Sequence, residues 1–377
     1  MTRIISVLAL ALSVLASIGE TKNVTQISDC PALTPRNGPR DASDLRPDDI
    51  KVLGALGDSI TAGFGIMGYN VSLPTTIALL DAFTEYRGLS YSAGGQENAF
   101  TVPNYIKHYQ PKLTGYSNGN HSIESCGNGD TCSASYDSSN DQLNAAISGA
   151  TARDLDYELD YLINQMKSMS NLDFENDWKM INIQIGSNDM CNSCSNKEDT
   201  NYTDPENYGA YIEGALEKIQ QNIPKTLVNL IGAFNVSQIF PLTANQTYCT
   251  PQTSNVTINY NLNECECAAV PGGLDKMDRL ASAYNRKLED IYQKHQQNKT
   301  SDFAVTYQNA NLNITSFPLE FFSNFDCFHP GLVGHRWVSK IVWNQLFSSR
   351  EMKPKIFNFN EDETIYCPTD SDRFVTN

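Results

Sequence analysis

The chain has 377 residues, 40% hydrophobic and 19% charged, and carries a formal charge of -16 from 43 acidic and 27 basic residues. This is the balance of a globular protein with apolar material enough for a sizeable core. An acidic surface of this size repels phosphate backbones and anionic lipid, which excludes nucleic acid as a partner and leaves neutral lipid admissible only as a substrate.

Residues 1–19 have the layout of a signal peptide: Arg3, an apolar run from Ile4 to Ala16, then the small residues Ser17 and Gly19. The run is shorter than the ~20 residues of a membrane span, and the polar C-terminus has no lipid-anchor tail. The reading is a secreted mature chain without a transmembrane segment, with an endolysosomal destination as the secondary alternative. Residues 20–49 and 351–377 read as extensions flanking one domain over 50–350. Within it Lys51–Leu56 is a candidate buried strand, followed by Leu143–Ile147. Leu155, Leu159, Leu162, Ile163 and Met166 then recur at helical steps. Met180–Ile185 is the next apolar run, and a helical pattern from Tyr208 to Ile223 stops at Pro224, which cannot continue it. Leu227–Phe234 is a fourth strand and Phe303–Tyr307 a weaker fifth. Between these two lies the stripe Leu280, Tyr284, Leu288 and Ile291, and a last helix spans Gly331–Phe347.

Strands alternating with helices predict a three-layer α/β/α sandwich around a mainly parallel five-stranded sheet. The excess length falls in insertions at Tyr116–Gln142, Cys191–Pro205 and Gln246–Gly273, the last expected to form one wall of the cleft. Ten cysteines in an exported chain read as disulfides. Cys126–Cys132 and Cys191–Cys194 are the preferred local pairs. Cys30, Cys249, Cys265, Cys267, Cys327 and Cys367 stay unconnected at this stage. Zinc is the rival reading of Cys191-x-x-Cys194, but no histidine pair supports it, and neither metal nor cofactor is expected. Sequons for glycosylation stand at Asn23, Asn70, Asn120, Asn201, Asn235, Asn245, Asn255, Asn298 and Asn313.

In open parallel sheets chemistry sits in the loops at the carboxyl ends of strands. There Gly57-Asp58-Ser59-Ile60 follows the first strand. Ser59 is either an exposed nucleophile or a helix cap. Gly149 follows the second strand, where a bare backbone N–H is approachable. Asn188, in Gly186-Ser187-Asn188-Asp189, follows the third and offers an amide to a developing oxyanion. Asp326-Cys327-Phe328-His329 precedes the last helix, close enough for the carboxylate to orient the imidazole as a base. His108, His121 and His295 lack a carboxylate at such spacing. His335 is the competitor, placed inside the last helix.

Taken in order, Gly57-Asp58-Ser59-Ile60, Gly149, Gly186-x-Asn188-Asp189 and Asp326-x-x-His329 resemble the four blocks of the GDSL/SGNH hydrolases. Leu89–Gly95, Leu143–Ala146, Gly149–Leu155, Ile185–Cys191 and Asp326–His329 resemble more narrowly the phospholipase B-like branch, with one hydrolase unit in place of tandem copies. The resemblance implies a serine ester hydrolase that acts without a metal. His329, oriented by Asp326, deprotonates Ser59, which attacks an ester carbonyl. The oxyanion is held by the N–H groups of Ser59 and Gly149 and by the Asn188 amide. The implied substrates are phospholipids and lysophospholipids. Alternatives are a secreted esterase on other acyl esters, such as acylated glycans or neutral lipids, and a non-catalytic glycoprotein that binds lipid or glycan. A classical α/β-hydrolase fits less well, because the chain has no Gly-x-Ser-x-Gly. Chain-length, positional and head-group preference and oligomeric state do not follow from these residues.

Overall fold

The computed structural model of the protein describes residues 22–126, 132–196, 200–244, 264–298 and 300–376, with 246, 252–253, 256–257 and 262. The candidate signal peptide, Cys249 and the sequons at Asn245 and Asn255 lie outside the described residues. Four strands, β1 (Ile50–Gly57), β2 (Trp178–Gln184), β3 (Thr226–Ile231) and β4 (Phe303–Gln308), form a wholly parallel sheet in the order β1-β2-β3-β4. Both faces are covered, and of these strand residues only Lys51 is exposed.

Leu143–Ile147, expected as the second of five strands, lies parallel to the free side of β1. The Ala55 N–H donates to the Leu143 carbonyl, and the Ala145 and Ile147 N–H groups donate to the carbonyls of Ala55 and Gly57 at 2.9 and 3.1 Å. It is nevertheless an irregular bonded edge, and the sheet has four strands. Gln142 turns into it at φ 51°. The ladder breaks off at Gly57, whose N–H donates to the Glu158 carboxylate, while the Ala145 carbonyl that would accept it takes the Tyr136 hydroxyl. Because this edge segment follows β1 in sequence while β2 lies on the other side, the chain order reverses at β1. Ligands of doubly wound sheets bind at such a reversal.

Helices cover the two faces. Helix α1 (Ser59–Ala62) follows β1; α2 (Thr75–Ala82) and α3 (Val102–Tyr109) precede the edge segment. Helix α4 (Leu155–Ser168), α5 (Ser187–Asn192), α6 (Pro205–Asn222), α7 (Gly273–Gln297) and α8 (Leu332–Gln345) follow, with short helical turns at Ser138–Asp141, before α4, and at Ile239–Thr243, between α6 and α7. One layer is α4, α6 and α7 side by side; α8 packs with α3 in the other. Helix α6 starts where the Asp204 carboxylate accepts the Glu206 N–H with Pro205 in the first turn, a start signal at each of two levels.

The sheet interior is not wholly apolar. Asn182 pairs in register with Asn229, and Asn229 with Thr306. The Asn229 amide donates to the Asn182 carbonyl oxygen at 2.8 Å, and the Gln308 amide donates to that of Asn229 at 2.9 Å. Asn182 donates onward to the Ser92 carbonyl. A row of amides thus crosses three strands.

The disulfides correct one expectation. Cys126 is bonded to Cys132, but Cys191 is bonded to Cys265 and Cys194 to Cys267, not to each other. Cys191 and Cys194 lie one turn apart at the end of α5, side by side with Cys265-x-Cys267 at the start of a 3-10 turn, so two bridges form where one local bridge was expected. All four sulfurs being oxidised, none is a thiolate ligand for zinc. Cys30 is bonded to Cys367, beside an antiparallel pairing of Lys22–Val24 with Ile365–Cys367. Cys327 is disulfide-bonded as well.

Candidate active site

Ser59 owes its position to the turn that ends β1. Asp58 caps α1 by accepting the Ile60 N–H at 3.0 Å, and Gly63, at φ 88°, stops the helix after one turn. Ser59 is the first helical residue, so its own N–H has no intrahelical acceptor. Its hydroxyl lies 2.7 Å from His329 Nε2. On the far side of the ring, His329 Nδ1 is 2.7 Å from Asp326 Oδ2. Asp326 Oδ1 accepts the backbone N–H groups of Phe328 and His329 at 2.9 and 3.0 Å, which fixes the carboxylate against rotation. All three side chains are buried. Gly65, at φ 76°, passes so close that a Cβ there would lie 2.8 Å from the His329 Cβ.

Burial alone would lower the His329 pKa. The charge and hydrogen bond of Asp326, with Glu264 and Asp58 beyond, outweigh it and raise the imidazole above its usual 6.5. Glu264 belongs to the 246–273 insertion, whose disulfides to α5 draw it toward the site. His335 behaves oppositely. It is buried, its Nδ1 accepts the Tyr91 N–H at 3.1 Å, and burial pushes its pKa down to about 3. It is a neutral packing residue without a carboxylate partner.

The other two predicted groups follow the ends of segments that flank β1. The edge segment meets β1 at Ala55 through Ala145 and at Gly57 through Ile147, so Gly149 and Ser59 each follow the last bonded pair by two residues. Gly149 has φ 81°, and a Cβ would approach the Cys126 carbonyl at 2.9 Å. Among the described residues neither the Ser59 nor the Gly149 N–H has a protein acceptor. On the other side Gly57 pairs with Gln184, four residues before Asn188 on α5. The Asn188 amide donates one N–H to the Ala150 carbonyl at 2.9 Å, which orients the group and leaves the second N–H to a ligand.

Sequence reasoning missed the buried charges beneath this surface. The Glu158 carboxylate accepts the Gly57 N–H at 2.9 Å, and burial raises its pKa well above the usual range. Its signal was present: a charged residue one place before Leu159, on the apolar stripe of α4. Burial likewise lifts Asp58 to about 6 and Asp189, which accepts the Ala152 N–H, to about 8. Glu85 and Arg87 form a buried ion pair at 2.7 Å, and Glu85 also accepts the hydroxyl of Ser148, the neighbour of Gly149. His121 meets Asp141, twenty residues on, at 2.8 Å. The fold supplies a carboxylate that local spacing did not show. A metal-sized cluster, Cys126, Cys132 and Asp154, has its two cysteines in a disulfide.

Residues 53–342 match the family model of GDSL-like lipase/acylhydrolase. The chain belongs to this family. It is a carboxylic ester hydrolase whose Ser59–His329 pair sits at the sheet's carboxyl edge. It is 31% identical over 349 residues to phospholipase B1, membrane-associated, of Homo sapiens, and 30% identical over 377 residues to that of Rattus norvegicus. The matches cover 89% and 96% of this chain but 22% and 24% of those proteins, so the chain spans less than a quarter of their length. Similar solved structures include phospholipase A1 from Streptomyces albidoflavus (TM-score 0.34, 13% identity, 76% of this chain and 94% of that one). An acetylxylan esterase from Geobacillus stearothermophilus gives TM-score 0.38 at 14% identity, over 80% and 95% of the two chains. No helix among the described residues is long and apolar enough to cross a membrane.

Proposed function

We propose that the protein releases fatty acids from phospholipids and lysophospholipids through an acyl-enzyme on Ser59. The observation that carries this is the continuous chain from the Ser59 hydroxyl through His329 to Asp326, each link at 2.7 Å. His329 Nε2 takes the serine proton as Oγ attacks the ester carbonyl, and the Asp326 carboxylate stabilises the imidazolium that forms. The N–H groups of Ser59 and Gly149 and the Asn188 amide receive the developing oxyanion. His329 then returns its proton to the leaving alcohol, and water repeats the cycle on the acyl-enzyme. The phospholipid assignment draws on the likeness to phospholipase B1. The nine described cysteines, all in disulfides, support an extracellular or endolysosomal setting.

The test offers phosphatidylcholine with distinguishable acyl chains to the wild type and to Ser59→Ala, reading fatty acid and lysolipid by mass spectrometry. Release by the wild type alone is expected. No release, with a fluorophosphonate still labelling Ser59, would move the substrate to another class of acyl ester.

A further inference from the structure

Apolar side chains on the surface of this protein are not scattered. Of the twelve large apolar residues exposed among the described residues, six lie within 67–83: Met67, Val71, Ile77, Leu79, Leu80 and Phe83. Val71, Ile77 and Leu80 are 83%, 53% and 69% exposed. They belong to α2 and the turn before it. This helix is anchored on its inner side by Ala78 and Ala82, over a small cluster of Phe64 and Phe325 that is separate from the main core. Alanine anchors bury little area, while the larger side chains of the same helix face water. That inverts the usual arrangement and marks an interaction surface.

Charge and position say what it meets. Between Ile66 and Phe83 the sequence contains a single charged residue, Asp81, and its carboxylate accepts the Tyr86 hydroxyl. A chain of formal charge -16 thus leaves one face nearly uncharged. Such a face suits an uncharged or zwitterionic lipid surface and has nothing with which to hold an anionic one. The face is also continuous with the reaction site. Phe83 packs edge-on against Phe325 at 4.9 Å and lies 6.3 Å from Phe64, whose ring meets that of His329 edge-on at 5.0 Å. We infer that residues 67–83 form the surface by which the enzyme docks on a zwitterionic lipid interface, presenting Ser59 to acyl chains there. This rests on the hydrolase reading above and goes beyond it, since hydrolysis of a dissolved ester needs no such face.

The experiment compares the wild type with the triple variant Val71→Ser, Ile77→Ser, Leu80→Ser, three exposed positions whose replacement leaves the core intact. Each is prepared with and without Asn70→Gln, so that a glycan on that sequon cannot mask the face. Binding to phosphatidylcholine vesicles is read by flotation, together with turnover of a short-chain water-soluble ester and sedimentation of the free protein. Expected are wild-type binding insensitive to salt, a fall in partitioning on the order of 100-fold in the triple variant, and equal turnover of the soluble ester. Vesicle binding that is absent in the wild type, or unchanged in the variant, overturns the inference. So does a self-association of the wild type that the substitutions abolish while vesicle binding persists. A wild type that floats with vesicles and cleaves the soluble ester, yet releases no fatty acid from phosphatidylcholine, upholds docking and refutes the phospholipid reading instead.

Discussion

Asp326→Asn is the sharpest probe of the proposed chemistry, because the structure separates the two jobs of this carboxylate. Oδ1 holds two backbone N–H groups and Oδ2 faces His329 Nδ1. In the variant the amide oxygen keeps the backbone bonds, so the NH₂ group must face Nδ1. Nδ1 then has to accept, the ring proton moves to Nε2, and the nitrogen nearest Ser59 becomes a donor where a base is needed. The anion that stabilises the imidazolium is lost as well. Together these are worth a fall of about 10⁴ in kcat, or ~5.5 kcal/mol at ~1.36 kcal/mol per decade, with KM little changed. The pH profile adds a second reading. A base works deprotonated, so wild-type activity falls as pH drops through the His329 pKa, which lies above 6.5. Without the Asp326 charge that limb must move to lower pH. Steady-state kinetics on a soluble ester from pH 5 to 9, normalised by active-site titration, measure both. A variant within tenfold of wild-type kcat, its acid limb unmoved, would refute the orienting role.

Three further outcomes follow from other parts of the structure. Asn188→Ala should lower kcat by about 10²–10³ while thermal unfolding stays near wild type; near-normal turnover would remove the amide from the oxyanion site. The bridges Cys191–Cys265 and Cys194–Cys267 close overlapping loops with separations of 74 and 73 residues. Breaking either one leaves nearly the same loop closed, so each single removal should cost far less than the double removal, for which chain entropy gives about 4.5 kcal/mol; equal costs in denaturant titrations would contradict this. Asp189 titrates near 8 in the folded protein against 3.8 in the unfolded chain, so its contribution to stability is complete below 3.8 and is lost as pH rises through 8. Asp189→Asn should therefore gain stability relative to wild type across that window, and a relative loss in urea midpoints would reverse the assignment.

How much of this was legible beforehand depended on whether the signal was local. The four parallel strands and the helices α4, α6, α7 and α8 all appeared as apolar runs or stripes, because continuous burial leaves a continuous pattern. The edge segment at 143–147 carries the same apolar pattern and failed to become a strand, since the Gly57 N–H that would continue the ladder is diverted to the Glu158 side chain. Ser59, Gly149, Asn188 and the Asp326–His329 pair stood in short motifs at strand ends or before the last helix. The pairing of Cys191 with Cys265, the meeting of His121 with Asp141, and Glu158 beneath Gly57 join residues 20 to 101 apart. Only the three-dimensional chain path brings these together.

The amide row through Asn182, Asn229 and Gln308 has a consequence for alignment. A parallel sheet buried on both faces has apolar side chains on either side of every strand, so hydrophobicity alone hardly distinguishes a correct pairing from one slipped along the strand. A slip here would strand amides in a dry interior, each at about 1–3 kcal/mol. One residue of slip is also ~3.3 Å of travel, more than the whole length of the Ser59–His329 hydrogen bond. The polar row inside the sheet acts as a vernier, holding strand ends in phase so that groups delivered by different strands arrive at the same point.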